Sequence, residues 1–292
     1  MTENKNPLSK EWYADPEART YDGVNYIYVT RSLPFEQQTN LDCVWFGQDR
    51  ELHTEKGILD MSGFPYVTHA VWAPTVIDKD GKYYLIFASN NIQKDEEPGG
   101  LEIAVSDDPK GPFRGYLGKP LLDHFVFGAQ PIDAHLFKDD DGRIYLYFGG
   151  WRLCVVALMN DRMDGFSPLP DGEIFKEITP KDYVEGPCML KRKNDYHFMY
   201  STGGWTNSSY GVLACRADSP FGPFEEPQKV LFSQPPVAEG PGHHGYLQIG
   251  EDQWKIVYHR RLVGDLNPHD RILCMDDLYF DEQGNILPVK MT

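Results

Sequence analysis

Pro131–Gly150, PIDAHLFKDDDGRIYLYFGG, contains a complete strand–turn–strand unit. Ile132 to Phe137 alternates loosely between apolar and polar residues. Lys138 to Gly142 forms a polar turn ending in Asp-Gly, and Ile144-Tyr145-Leu146-Tyr147-Phe148 is rich in residues that favour extended backbone. An Asp-Gly pair between two such runs is a strong hairpin signal, because these residues accept the positive φ angles of tight β-turns. Asp133 does not suit a plain hairpin: it is a carboxylate close behind a proline, at the head of a strand that otherwise reads as buried.

The same unit recurs along the chain. Asp22-Gly23 precedes Val24–Val29, and Trp72–Ile77 leads through Asp80-Gly81 into Tyr83–Phe87. Gly186–Leu190 leads through Lys193-Asn194-Asp195 into Tyr196–Tyr200, and His244–Ile249 through Gly250-Glu251-Asp252 into Trp254–Tyr258. The repeats start at Asp15, Trp72, Asp133, Glu185 and His243, which lie 57, 61, 52 and 58 residues apart. A second echo pairs Ser106–Phe113 with Ala217–Phe224, 111 residues or about two periods away. Five all-β repeats with no amphipathic helix between them predict an all-β, five-bladed β-propeller. A β-sandwich is the alternative, although its strand pairs need not recur at a fixed period. No linker or low-complexity stretch divides the chain, so residues 1–292 read as a single domain. The tail Ile272–Val289 is expected to pair with the first repeat and close the ring, removing free sheet edges.

Composition narrows the function. A formal charge of −16 disfavours nucleic acid and anionic membranes, since phosphate binding relies on Lys and Arg, and leaves a neutral, hydroxyl-rich ligand. Cys43, Cys154, Cys188, Cys215 and Cys274 are odd in number, scattered and without CxxC spacing, which favours free thiols over a disulfide framework. The polar start MTENKNPLSKEW lacks a signal-peptide core, and no run reaches the roughly 20 apolar residues of a membrane helix. The expected location is cytoplasmic. None of the six tryptophans is followed by aspartate, which argues against the Trp-Asp type of scaffolding propeller.

In a propeller, the innermost strand of each blade starts at one mouth of the central channel, so equivalent positions converge on one axis. Three repeats begin with a carboxylate near proline: Ala14-Asp15-Pro16, Pro131-Ile132-Asp133 and Val184-Glu185-Gly186-Pro187. Pro16 is expected to hold Asp15 extended. Acids distant in sequence would thus share one pocket. Ala238-Glu239-Gly240-Pro241 copies the Glu185 segment one repeat later, so Glu239 is an alternative to Glu185. We favour Glu185, because it leads directly into Cys188-Met189-Leu190, whereas Glu239 precedes Gly-His-His.

Taken in order, ADPEA, WAP, IDAHLF followed by DDDG, VEGP and GPGHHG resemble the motifs of glycoside hydrolase family 43, over nearly the whole chain. The resemblance implies a five-bladed propeller acting on arabinose- and xylose-containing glycans with inversion of configuration. It assigns Asp15 as general base, Asp133 as the carboxylate that orients the acid and tunes its pKa, and Glu185 as general acid. Inverting hydrolysis needs one protonated carboxyl at the leaving oxygen and one ionised carboxylate to activate water from the opposite face. The resemblance also places Trp72 near the terminal sugar and Arg271 at its hydroxyls, and puts His243 beside a calcium ion or a water cluster in the channel. A hydrogen-bonded His243 without metal is the alternative. Adjacent His243 and His244 on a strand face opposite ways and cannot chelate one ion together. Trp205, in a glycine-rich loop, is a further candidate for stacking on sugar. The expected activity is release of a terminal pentose, α-L-arabinofuranose in the first place, from oligosaccharides. The alternatives are a β-xylosidase using the same site and a non-catalytic glycan-binding propeller.

Overall fold

A computed structural model describes residues 6–49 and 51–292. The predicted hairpins form where the sequence places them. Asp22-Gly23 and Asp80-Gly81 have φ of 50°/76° and 52°/74°, the two successive left-handed residues that a two-residue hairpin turn requires. Five hairpins grow outward into sheets. Tyr13–Tyr21, Val24–Arg31, Leu41–Phe46 and His53–Lys56 form blade 1. Blade 2 is Trp72–Lys79, Lys82–Ser89, Gly100–Ser106 and Phe113–Gly115, with Leu59–Asp60 added in parallel at its outer edge. Blade 3 is His135–Lys138, Ile144–Phe148 and Val155–Met159, and two short strands, Phe166–Ser167 and Phe175–Glu177, share its outer edge. Glu185–Arg192, Asp195–Thr202, Gly211–Ala217 and Gln228–Leu231 make blade 4, and Glu239–Gly250, Gln253–Arg261 and Arg271–Leu278 make blade 5. The five sheets stand in a ring, a five-bladed β-propeller.

Apolar residues bury themselves in the five seams between blades. In Ile144–Phe148, Ile144, Leu146 and Phe148 pack into blade 2, while Tyr145 and Tyr147 pack into blade 4. The two-residue period of a strand divides one run between two seams, which is why all five residues are buried. Comparable clusters join blades 1 and 2, 4 and 5, and 5 and 1. Each fully buried large side chain is worth roughly 1.5–3 kcal/mol, so burial at every seam helps to hold the ring.

The ring closes through the first part of the expected tail, whose Ile272, Leu273 and Met275 pair with the segment just ahead of the first repeat. The segment before blade 1 lies along the outer strand of blade 5: Trp12 bridges Ile272, and the Leu8 amide donates to Leu273 O at 2.8 Å. Asn6 brackets the Met275 backbone with both its side-chain amide nitrogen and its carbonyl oxygen. Only the rest of the tail, beyond Leu278, departs from the expectation and turns back over the seam between blades 4 and 5, where Ile286, Val289 and Met291 are buried and the Val289 amide bonds Val230 O. Three strands leave blade 5 with an open outer edge, and the N-terminal segment is the extended chain that covers it.

Each inner strand carries, or in blade 3 is preceded by, a left-handed residue: Asp15 (φ 48°), Ala73 (49°), Asp133 (56°), Gly186 (61°) and Gly240 (54°). In blades 1, 2, 4 and 5 the ladder register shifts at this point, a bulge that re-aims side chains. Two expectations change. Asp15 is not held extended by Pro16, for proline disfavours only the right-handed helical region of its predecessor, and the bulge takes the left-handed one, which Asp tolerates. Nor do the three acids match by position, since Glu185 precedes the bulge residue by one. Its repeat equivalents are Trp72 and Glu239.

Candidate active site

The heads of the inner strands of blades 1, 3 and 4 bring Asp15, Asp133 and Glu185 together, and blade 5 supplies the groups between them. His243 Nδ1 lies 3.5 Å from Asp15 Oδ1 and 3.6 Å from Asp133 Oδ2. The Gly186 amide, next to Glu185, donates to Asp133 Oδ2 at 3.1 Å. Arg271 Nη1 is 3.3 Å from Asp15 Oδ1, and its Nε donates to Ser32 Oγ at 2.8 Å. The Asp15 amide donates to His259 Nδ1 at 3.1 Å, which fixes the imidazole proton on Nε2. Tyr210 donates its hydroxyl to Glu185 Oε1 at 2.8 Å and stacks on His259. A Cβ on Gly242 would lie 2.1 Å from the Tyr210 ring, so only glycine leaves that ring its place.

The surroundings separate the three acids. Burial raises Asp15, but Arg271 above all, together with His243, His259 and a Thr30 hydroxyl bond, brings it below the ordinary carboxylate range. Asp133 is driven far up by burial and by the charges of Glu185 and Asp15, the Gly186 amide and Arg271 pulling it partly back. Glu185 is also raised: burial leads, the Tyr210 hydroxyl opposes it, Asp15 adds to it and Arg271 opposes it. Two carboxyls this close in a dehydrated pocket titrate as a pair. The cluster therefore combines an ionised carboxylate with a pair that retains a proton.

Trp72, Trp205 and Arg271 meet around a residue that sequence reading missed, Phe35. Trp72 packs edge-on against Phe35 at 4.9 Å, Trp205 lies 6.1 Å from it, and His269 5.6 Å. The Arg271 guanidinium sits 5.5 Å above the Trp205 ring. Trp72 is 8% exposed, so it packs between blades as well as bordering the site, and its Nε1 has no hydrogen-bond partner among the described residues. A positional signal for Phe35 existed. It follows the second strand of blade 1, as Trp205 follows the second strand of blade 4. Tyr210, His259 and His269 carried no such mark.

Further down the channel, Glu17 is committed to Arg19 (2.7 Å) and to His135 Nδ1 (3.1 Å), and His135 Nε2 faces Met189 O at 3.2 Å. His244 is buried with neither ring nitrogen bonded among the described residues. Calcium takes six to eight oxygens, whereas His243 is set among imidazoles, a guanidinium and two carboxylates, Asp15 and Asp133, that already have partners in Arg271 and the Gly186 amide. These residues do not assemble a calcium cage by themselves. Among the described residues, the group able to converge on a cation is Asp49, Glu51 and His53, on the outer part of blade 1 and largely exposed. Glu239, the sequence alternative for the acid, is turned to Arg261 (3.7 Å) and accepts the Gly264 amide at 3.1 Å.

The sequence profile of glycosyl hydrolases family 43 matches residues 4–286. A β-D-galactofuranosidase of Aspergillus niger is 39% identical over 302 residues, spanning 100% of this chain and 86% of that protein. A β-xylosidase of Xylanibacter ruminicola is 28% identical, spanning 98% of this chain and 99% of that one. The solved structure of an α-L-arabinofuranosidase from Clostridium thermocellum superposes with a TM-score of 0.77 at 25% identity, covering 98% of this chain and 96% of that chain. A thermostable family-43 glycoside hydrolase shares the fold with a TM-score of 0.81 at 21% identity, covering 100% of this chain and 96% of the other.

Proposed function

The chain belongs to glycoside hydrolase family 43, and from that premise we propose that it removes a terminal furanose, α-L-arabinofuranose in the first place, from oligosaccharides with inversion at the anomeric carbon. The observation that carries this reading is the convergence of Asp15, Asp133 and Glu185 with opposed proton affinities in one pocket. Glu185 gives its proton to the glycosidic oxygen as the bond from that oxygen to the anomeric carbon breaks. Asp15, kept ionised by Arg271, takes a proton from the water that attacks the same carbon from the opposite face. Asp133 holds the Gly186 amide and so the backbone of the acid, and it titrates together with Glu185 as a pair that retains a proton. Phe35, Trp72 and Trp205 offer apolar ring surface to the sugar, and Arg271 offers it donors.

A second reading, β-D-galactofuranose, is favoured by the 39% identical relative. α-L-Arabinofuranose has the ring stereochemistry of β-D-galactofuranose and lacks only its terminal carbinol, so one pocket suits both and the space beyond C5 decides. β-Xylosidase activity is the third possibility for the same carboxylates. Nitrophenyl α-L-arabinofuranoside, β-D-galactofuranoside and β-D-xyloside, compared by kcat/KM, test the choice. Arabinofuranoside should be the best substrate, and a tenfold preference for either other glycoside overturns that assignment. The five cysteines are all buried and unpaired, which supports the proposed reducing, intracellular setting.

A further inference from the structure

Glu239 repeats the sequence context of Glu185 yet faces different chemistry. It starts the inner strand of blade 5, and its neighbour Gly240, at φ 54°, is pressed so close that a Cβ would lie 2.9 Å from both Arg261 Nη2 and Asn207 O. Glu239 Oε1 is 3.7 Å from Arg261 Nη2, and Oε2 accepts the Gly264 amide at 3.1 Å. Arg261, itself buried, donates from Nη1 to Thr206 O at 3.0 Å. A hydroxyl completes the tie, since Ser233 Oγ donates to Ser208 O and accepts the Gly240 amide.

We infer that Glu239 and Arg261 form a clamp that positions the two loops bounding the sugar pocket on the blade 4 and blade 5 sides. One loop, residues 203–209, carries Trp205, and the other, residues 262–270, carries His269. The two rings lie 5.8 Å apart, and both approach Phe35. Neither loop has a core of its own. Leu262, Val263 and Leu266 are 49%, 43% and 93% exposed, and the carboxylate at Glu239 is what ties residue 264 to residue 206 through a single guanidinium. Arg261 Nε and Nη2 have no close hydrogen-bond partner among the described residues. Glu239 is thus the only carboxylate paired with Arg261 among the described residues, and its loss leaves a buried cation uncompensated. Glu239 acts through Trp205 and His269, as a positioning residue, and touches no reacting atom.

The inference rests on the hydrolase reading, and its test separates the two. Glu239→Ala and Glu239→Gln are assayed beside Trp205→Ala and the double variant Glu239→Ala/Trp205→Ala, with folding checked by thermal melting. Expected is a rise in KM of roughly tenfold for Glu239→Ala, the size by which residues without ligand contact modulate a site. Glu239→Gln, which still accepts the Gly264 amide, should lose less. In both, kcat should stay within about threefold and the pH limbs of kcat/KM should not move. In the Trp205→Ala background the Glu239→Ala effect on KM should largely vanish, because both changes disable one loop. Additive effects, an unchanged KM, or a collapse of kcat with a shifted alkaline limb would each overturn the clamp. Failure of the wild-type chain to hydrolyse any glycoside would instead sink the hydrolase reading.

Discussion

Replacing Glu185 by glutamine removes one proton and little else from the site. The glutamine carbonyl can still accept the Tyr210 hydroxyl that reaches Glu185 Oε1 at 2.8 Å, and the Gly186 amide keeps its bond to Asp133. The loss therefore measures proton donation. General acid catalysis is worth about 10²–10⁴ in rate, or about 3–5 kcal/mol of barrier. An oligosaccharide, whose alkoxide leaves poorly without a proton, should lose about a thousandfold in kcat/KM. A dinitrophenyl glycoside, whose phenolate departs unaided, should lose less than about tenfold. The alkaline limb of the pH–rate profile, which reports ionisation of the raised Glu185–Asp133 pair, should flatten in the variant. The assay is steady-state hydrolysis of both substrates from pH 4 to 10. Equal losses on the two leaving groups, or less than tenfold on the oligosaccharide, would refute the acid role.

Two further outcomes follow from the surroundings of the site. Tyr210→Phe removes a donor that stabilises ionised Glu185, so the acid should keep its proton to higher pH and the alkaline limb of kcat/KM should move upward; a downward shift contradicts the assignment. Burial lowers His244 from 6.5 to about 3, so its neutral form stabilises the fold fully above pH 6.5 and that contribution is lost as pH falls toward 3. His244→Gln should accordingly lose less stability than wild type between pH 7 and pH 4 in denaturant titrations, and an equal loss shows that His244 does not drive acid sensitivity.

Local chemistry made much of this molecule legible. Asp22-Gly23 and Asp80-Gly81 announce their hairpins because few residues accept two positive φ angles, and Ile144–Phe148 announces burial on both faces by having no polar residue. The three acids could be found because each abuts a proline or a strand head. Bulge register could not, since a one-residue shift leaves no composition signal, and Glu185 therefore passed as the positional match of Asp15. Glu239 and Glu185 share the Gly-Pro that follows them and differ in the distant residue that meets them, Arg261 for one and Tyr210 for the other. Ring closure was half legible: Ile272–Met275 reads as a strand and does pair with the segment ahead of the first repeat, but nothing local in residues 279–292 tells that they turn back over the seam between blades 4 and 5.

The clasp at Trp12 and Ile272 lies on the same seam that joins Asp15 of blade 1 to Arg271 and His259 of blade 5. Asp15, the proposed base, and Arg271, the cation beside it, thus come from opposite ends of the polypeptide. Parting the two ends would separate these charges. On the proposed roles of Asp15 and Arg271, turnover would report whether the circle is fastened.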